Sequence, residues 1–288
     1  MAPSPLAGQR VLITGAARGI GAQTARLAAA GGARLSLVGL EPDRLRALAG
    51  ELDAHWAECD VTDQTSLQAA VDSAATTLGG LDAVVANAGV APMGTVALGQ
   101  VDALARTVDV NLTGVIRTAS AALPHLTGSR GYALLVSSVA AFAAIPGMAA
   151  YAAAKAGVEQ FGHVLRQEST HLGVRVGTAH PAWVDTDMVR GFEVLTCYLE
   201  ARARLPWPLR NVTSVHECAR ALVRALERRP RTVHIPRTMV AVRALRSVAG
   251  SRFAGWVTAR ATGGGAMVMR LEEEIRALDT GSGSDRVA

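Results

Sequence analysis

Cysteine is scarce in this chain. Cys59, Cys197 and Cys218 are its only three, they stand far apart, and any pairing would leave one over. That excludes a disulfide framework and a zinc-ligand cluster, and suits a reducing, cytoplasmic setting. No run approaches about 18 uncharged apolar residues, so no membrane-spanning helix is expected. Residues 1–10 lack a charged stretch followed by an apolar one, so a secretory leader is not expected either. Lysine is scarcer still: Lys155 stands alone against 28 arginines. An ammonium is a compact point charge and a guanidinium a broad planar fork. A single lysine amid so many arginines therefore points to a place where only the ammonium fits.

What is present is a globular composition. Half of the 288 residues are hydrophobic and 18% are charged, enough for one large domain or two small ones with a substantial core. The net charge of +5 is localised. Residues 237–260 carry Arg237, Arg243, Arg246, Arg252 and Arg260 and no acid, so the rest of the chain balances to zero. A basic character confined to one segment, with no reading motif and no basic–aromatic interleaving, argues against a nucleic-acid partner.

Short apolar runs alternate with helix-like segments. The expected strands are Val11–Thr14, Arg34–Val38, His55–Cys59, Leu81–Ala86, Tyr132–Ser137, Val174–Ala179 and Arg231–Ile235. Between them lie helical stretches over Ala22–Ala30, from Pro42, over Gln64–Leu78, around Val101–Leu123, from Ala149 to His171 and over Ser214–Arg228. Strands apolar on both faces and separated by helices predict an α/β fold, a doubly wound, Rossmann-like parallel sheet of seven strands. One domain over 1–236 is expected, with a basic, helical C-terminal extension over 237–279 and a disordered Gly/Ser-rich tail over 280–288.

Thr14-Gly-Ala-Ala-Arg-Gly-Ile-Gly21 follows the first strand and opens a helix. Gly15 permits the tight turn, Gly19 lets the backbone approach a pyrophosphate, and Gly21 allows close helix–sheet packing. The N–H groups at the helix start, from Gly19 through Ile20 and Gly21, would face the phosphates. Arg18 either contacts the adenosine end of such a nucleotide or is a solvated surface arginine.

Together with Asn87-Ala88-Gly89, Asn111, Ser138 and Tyr151-Ala-Ala-Ala-Lys155, this turn resembles the short-chain dehydrogenase/reductase family, over roughly residues 8–236. The resemblance implies an NAD(P)-dependent oxidoreductase that interconverts an alcohol and a carbonyl. Tyr151 would be its proton-transfer group. Tyr151 and Lys155 lie four apart on one helix face, and a nearby ammonium favours the phenolate and lowers its pKa towards neutrality. The resemblance also gives Lys155 the nicotinamide ribose to hold and Ser138 the substrate oxygen to stabilise. It makes Asn111 the residue that interrupts its helix and holds a proton-relaying water. Asp60, with Val61 beside it, would meet the adenine, Asn87, Ala88 and Gly89 would border the nucleotide, and Pro181, Val184 and Thr186 would embrace the carboxamide. Ala182 stands where the family usually has glycine.

At the end of the second strand the chain departs from the pattern. Gly39 and Leu40 supply neither the acid of NAD enzymes nor the arginine of NADP enzymes. Glu41, one residue on, could bind the ribose and repel a 2′-phosphate, while Arg18 would pull the other way. The balance leans to NAD. Trp183, Met188, Phe192, Leu195, Tyr198, Leu199 and Trp207 on one side, and Phe142, Ile145 and Met148 on the other, predict a lipophilic alcohol or ketone: a steroid, retinoid, terpenoid or lipid. The 237–260 segment reads as a basic amphipathic helix resting on anionic lipid or as a contact with a partner subunit, and Glu272–Ala277 as a short helix. Family habit suggests a homodimer or homotetramer. A 3-oxoacyl thioester reductase using NADPH and a non-catalytic nicotinamide sensor on the same fold are the alternative readings.

Overall fold

In the computed structural model, residues 4–205, 207, 209–244 and 263–281 are described. Seven strands form one sheet in the order β3-β2-β1-β4-β5-β6-β7: β1 Arg10–Thr14, β2 Arg34–Gly39, β3 His55–Glu58, β4 Ala83–Ala86, β5 Tyr132–Val136, β6 Arg175–Pro181 and β7 Thr232–Ile235. Every pairing is parallel. The seven-stranded doubly wound fold is as expected. Central strands such as β5 are buried along their whole length, so period-two alternation is absent and a continuous apolar run takes its place.

Helices α1 (Gly19–Ala30), α2 (Pro42–Leu52) and α9 (Val215–Arg228) cover one face. Helices α3 (Gln64–Leu78), α5 (Gly114–Ser129) and α6 (Ala149–Glu168) cover the other. Their ends follow local chemistry. Asp63 accepts from the N–H groups of Thr65 and Ser66 to start α3, and Gly79 at φ +79° stops it. Ser214 and Glu217 form a reciprocal capping box at α9.

The stretch expected as one helix over Val101–Leu123 is instead α4 (Val101–Val108), a π-helical turn over Asp109–Thr113 and α5. α5 runs through Pro124, although a proline removes the bond to the carbonyl four residues back. That carbonyl belongs to Ser120, which is exposed, so water can replace the lost partner. Three further helices follow β6: α7 (Asp187–Phe192), α8 (Thr196–Ala203) and, after β7, α10 (Met239–Ala244). The last helix, α11, spans Gly264–Gly281. The sequence showed only its Glu272–Ala277 portion.

Among the described residues no helix is long and apolar enough to cross a membrane. Most of the basic 237–260 segment and the 282–288 tail lie outside the described residues. The part that is described packs on the chain itself: Met239 is fully buried, and Val242 packs against a cluster of Val139, Phe142 and Met239.

Candidate active site

The strand order reverses between β1 and β4, where open α/β sheets form their ligand crevice. Side chains lace the two loops together there. Thr14 Oγ1 accepts from the N–H groups of Asn87 (3.0 Å) and Ala88 (3.2 Å). Asn87 Nδ2 donates to the carbonyls of Thr14 (3.1 Å) and Gly15 (3.2 Å). Gly15, at φ +63°, admits no side chain: a Cβ would lie 2.8 Å from Ala88 Cα. At Gly21 a Cβ would lie 2.2 Å from the Gly15 carbonyl oxygen. Gly19, at φ +57°, faces Thr186, whose Cγ2 would be 3.5 Å from an added Cβ. No side chain caps the start of α1. Ile20 turns into the sheet core, leaving its backbone at the helix mouth. The result is a narrow, glycine-walled cradle at the uncapped N-terminus of a helix, where free N–H groups could receive an anion. Gly21→Ala is expected to weaken nucleotide binding at least about tenfold, since backbone and not a flexible side chain stands in the way. Quenching of nicotinamide fluorescence measures it, and unchanged affinity would refute the cradle.

Beyond the cradle, Arg18 and Glu41 do not act as rivals. Arg18 Nε lies 3.1 Å from Glu41 Oε2, with Arg44 3.8 Å from the other oxygen and Asp187 3.9 Å from Arg18 Nη1. Asp60 takes the N–H of Thr62 at 2.9 Å and sits 3.7 Å from Arg106. Partial burial works to raise its carboxyl, but the Thr62 hydrogen bonds and the Arg106 and Arg117 charges hold it below its ordinary range. Val61 is buried against Gly114.

Tyr151 and Lys155 lie on α6 behind the carboxyl ends of β4 and β5. Lys155 is 3% exposed, donates from Nζ to the Val136 carbonyl at 2.9 Å, and stands 5.6 Å from the centre of the Tyr151 ring. Ser137 and Ser138 diverge as strand alternation requires. Ser137 braces the helix by donating to the Lys155 carbonyl at 2.7 Å, while Ser138 Oγ contacts the Pro181 carbonyl (3.3 Å) and accepts the Ala140 N–H.

Asn111, fully buried in the π-helical turn, gives its amide N–H groups to the Val90 and Thr107 carbonyls at 2.6 and 2.8 Å. Its Oδ1 is buried without a partner. That atom would lie 2.6 Å from a Cβ at Gly89, and Lys155 Nζ 3.6 Å from the same point. Gly89 thus keeps open a polar gap between Asn111 and Lys155, and a buried acceptor of this kind calls for a water or another donor. Burial governs the pKa values. It pushes Lys155 down to about 8 and raises Tyr151 above its ordinary value, with the Ser138 hydroxyl pulling Tyr151 the other way. A Tyr151 pKa lowered by the ammonium, expected from their spacing, is not found: desolvation of the phenol raises it, and the influence opposing burial is the Ser138 hydrogen bond.

The sequence reading missed a buried polar group behind Ser138. His180 is fully buried on β6, 3.3 Å from the Ser138 carbonyl, with its ring stacked on His234 at 5.5 Å and close to Phe142. Glu159, one turn beyond Lys155, is 3% exposed and paired with Arg243 of α10 at 3.1 Å. Burial pushes His180 down to about 4 against the pull of Glu159. His180 is therefore neutral in the fold, and the unfolded chain takes up a proton first as pH falls. Its contribution is complete above pH ~6.5 and is lost as pH drops towards 4, on the order of 3 kcal/mol. Urea midpoints measured across that range should fall steeply in the wild type and more gently in His180→Gln. Parallel curves would refute this assignment.

On the substrate side an apolar lobe gathers Ala91, Met148, Val189, Phe192, Leu195, Cys197, Tyr198, Leu271 and Ile275, with Met93, Ile145, Tyr151, Trp183, Met188 and Leu199 packed against it. Two expected lining residues lie elsewhere. Phe142 packs with Val139 and Met239, and Trp207 is 64% exposed. Pro181 ends β6, Val184 is buried in the core and bridges Thr213, and Thr186 caps α7. Ala182 donates its N–H to the Ile235 carbonyl, and its methyl packs against the cluster of Val139, Phe142 and Met239.

Comparison with known proteins agrees with this geometry. A profile of the short chain dehydrogenase family matches residues 9–193. The chain is 36% identical to trans-4-hydroxycyclohexanecarboxylate dehydrogenase of Sinomonas cyclohexanicum over 193 residues, covering 63% of this chain and 74% of the relative. It is also 36% identical to (-)-trans-carveol dehydrogenase of Rhodococcus erythropolis, over 72% of this chain and 83% of the relative. An uncharacterized oxidoreductase of Mycobacterium tuberculosis is 33% identical, over 79% of this chain and 88% of its own. The chain belongs to the short-chain dehydrogenase family and is an oxidoreductase acting on a CH–OH group.

Proposed function

We propose that this protein interconverts a compact cyclic secondary alcohol and its ketone with a nicotinamide dinucleotide, NAD in preference to NADP. One observation carries the reading: Tyr151, Lys155, Ser138 and Asn111 meet at the carboxyl ends of β4 and β5, with the glycine cradle on one side and an apolar lobe on the other. A pyrophosphate is supported by the uncapped start of α1 and by Gly19, which at φ +57° has only the Thr186 methyl facing it at 3.5 Å, while Gly15 and Gly21 let the turn pack closely on Asn87, Ala88 and itself. Gly15, Gly19, Gly21, Asp60, Val61, Asn87, Ala88, Gly89, Pro181, Val184 and Thr186 are the residues that would hold the nucleotide, and Glu41 its ribose. When bound, the nicotinamide supplies the two-electron redox chemistry.

The chain's own groups handle the proton. Ser138 orients the substrate oxygen by hydrogen bonding. Tyr151 takes the hydroxyl proton in oxidation and returns it in reduction. A phenol raised by burial needs a cation to ionise, and Lys155 is the cation beside it. Because Lys155 is held at about 8, it can accept and lose protons near working pH. Asn111 Oδ1 can seat a water that links Lys155 towards solvent.

The names of the relatives support a ring-borne substrate, since one is a dehydrogenase of a hydroxycyclohexanecarboxylate and another of carveol. The apolar lobe supports a lipophilic one. The test is turnover of cyclohexanol and substituted cyclohexanols with NAD and NADP, followed at the nicotinamide absorbance. Nucleotide binding without turnover of any cyclic alcohol or ketone would sink the substrate assignment.

A further inference from the structure

The C-terminal helix α11 stands outside the segment that matches the family, yet it packs on the loops that carry the site. Three loops leave the carboxyl ends of β4, β5 and β6, and α11 touches all three. From the β4 loop, Thr95 Oγ1 donates to Glu272 at 2.6 Å, and Met93 lies beside Leu271 at Gly147. At the β5 loop, Leu271 Cδ2 would be 2.8 Å from a Cβ at Gly147, whose φ of +80° already disfavours any side chain. Leu271 therefore seats on bare backbone. From the β6 loop, Thr196 Oγ1 and the Cys197 N–H donate to Glu274 at 2.5 and 3.2 Å, and Glu200 pairs with Arg270 at 2.9 Å.

The face so held is apolar. Met267, Leu271 and Ile275, four residues apart, are buried, and Leu271 and Ile275 belong to the same cluster against which Tyr151 packs. Met269, on the other side, is 62% exposed. Ligands of open parallel sheets lie beyond the strand carboxyl ends, so whatever Tyr151 acts on extends beneath this helix.

We propose that α11 is the roof of the substrate site and that Leu271 determines specificity by limiting the size of the group carried opposite the reacting carbon. This rests on the proposed function. The occupant is a ring-sized alicyclic alcohol, whose far edge meets the Leu271 methyls, and not an extended chain.

The experiment uses the full-length protein as Leu271→Ala, Leu271→Phe and Met269→Ala. Substrates are cyclohexanol, 4-methylcyclohexanol and 4-tert-butylcyclohexanol. Two readouts are taken: kcat and KM with nucleotide, and the rise in melting temperature each alcohol produces, with and without nucleotide. Leu271→Ala should raise the kcat/KM ratio of the tert-butyl compound to cyclohexanol at least tenfold, mainly through KM. Leu271→Phe should lower it, and Met269→Ala should leave it unchanged. Should Leu271→Ala fail to fold, the Phe variant still carries the expectation in the opposite direction.

Ratios that do not move in either Leu271 variant, or that move equally in Met269→Ala, overturn the proposal. If the alcohols raise the melting temperature in a size order that Leu271 controls but are not turned over, the roof stands and the proposed reaction fails. If no alcohol in the series raises it in the wild type, the roof covers no such site and the inference falls.

Discussion

Tyr151→Phe is expected to lower kcat by about a thousandfold while leaving nucleotide affinity within about twofold. General acid–base groups supply roughly 10²–10⁴ in rate, and among the described residues the hydroxyl that neighbours Tyr151 is that of Ser138. The change removes one oxygen. The ring remains packed against the apolar lobe, so the fold and the cradle, built from β1, β4 and α1, should be undisturbed. The measurement is a split between two numbers, kcat from turnover and Kd from nicotinamide fluorescence. Loss of both together would mean that Tyr151 supports the structure of the site. Retention of kcat would mean that the proton goes elsewhere. Burial raises the Tyr151 pKa, so the wild-type oxidation rate should climb with pH through the alkaline range, and the Phe variant should lose that climb.

The parts of the site carried by short, local spacing could be read from residues alone. Tyr151 and Lys155 share a helix face because they are four apart, and Ser138 follows from strand alternation against Ser137. The glycine turn follows from its place between a strand and a helix. Its details are steric: backbone stands 2.8 and 2.2 Å from a Cβ added at Gly15 and Gly21, while Gly19 has only the Thr186 methyl at an ordinary 3.5 Å. What could not be read depends on contacts far apart in the chain. His180 meets Ser138 and His234 only through the sheet order, and Glu159 meets Arg243 across 84 residues. A buried glutamate at one further helical turn from Tyr151 and Lys155 was a signal that went unused.

α11 was also visible in part. Met267, Leu271 and Ile275 recur every fourth residue, with Glu272 and Glu274 beside them, yet only a short helix over Glu272–Ala277 is expected from the sequence. In the structure these carboxylates are the tethers that accept from Thr95, Thr196 and Cys197. Charge pattern alone does not distinguish a solvated acid from one satisfied by a neighbouring loop.

The same limit applies to the nucleotide preference and leads to the second large effect. Read separately, Glu41 argues for NAD and Arg18 for NADP. In the fold the two are paired at 3.1 Å, so the guanidinium best placed for a 2′-phosphate is already neutralised by the carboxylate best placed to repel one. Removing Glu41 changes both terms at once: the repulsion disappears and Arg18 is released. Like-charge juxtaposition at an interface costs several kcal/mol when dry, and both side chains are partly solvated here, so about 2 kcal/mol is a reasonable expectation. Glu41→Ala should then shift the ratio of NADPH to NADH affinity by roughly thirtyfold towards NADPH. Adding Arg18→Ala to that variant should reverse much of the gain, because the phosphate then keeps only Arg44, which stands 3.8 Å from Glu41 in the wild type. The shift should shrink as salt rises, since both groups face solvent. Fluorescence titrations of the wild type and both variants at two ionic strengths measure all of this. If the wild type already prefers NADPH, Glu41 does not guard the ribose, and the preference for NAD is wrong. If Glu41→Ala weakens both nucleotides equally, the Arg18–Glu41 pair holds the start of α1 in place and does not select between them.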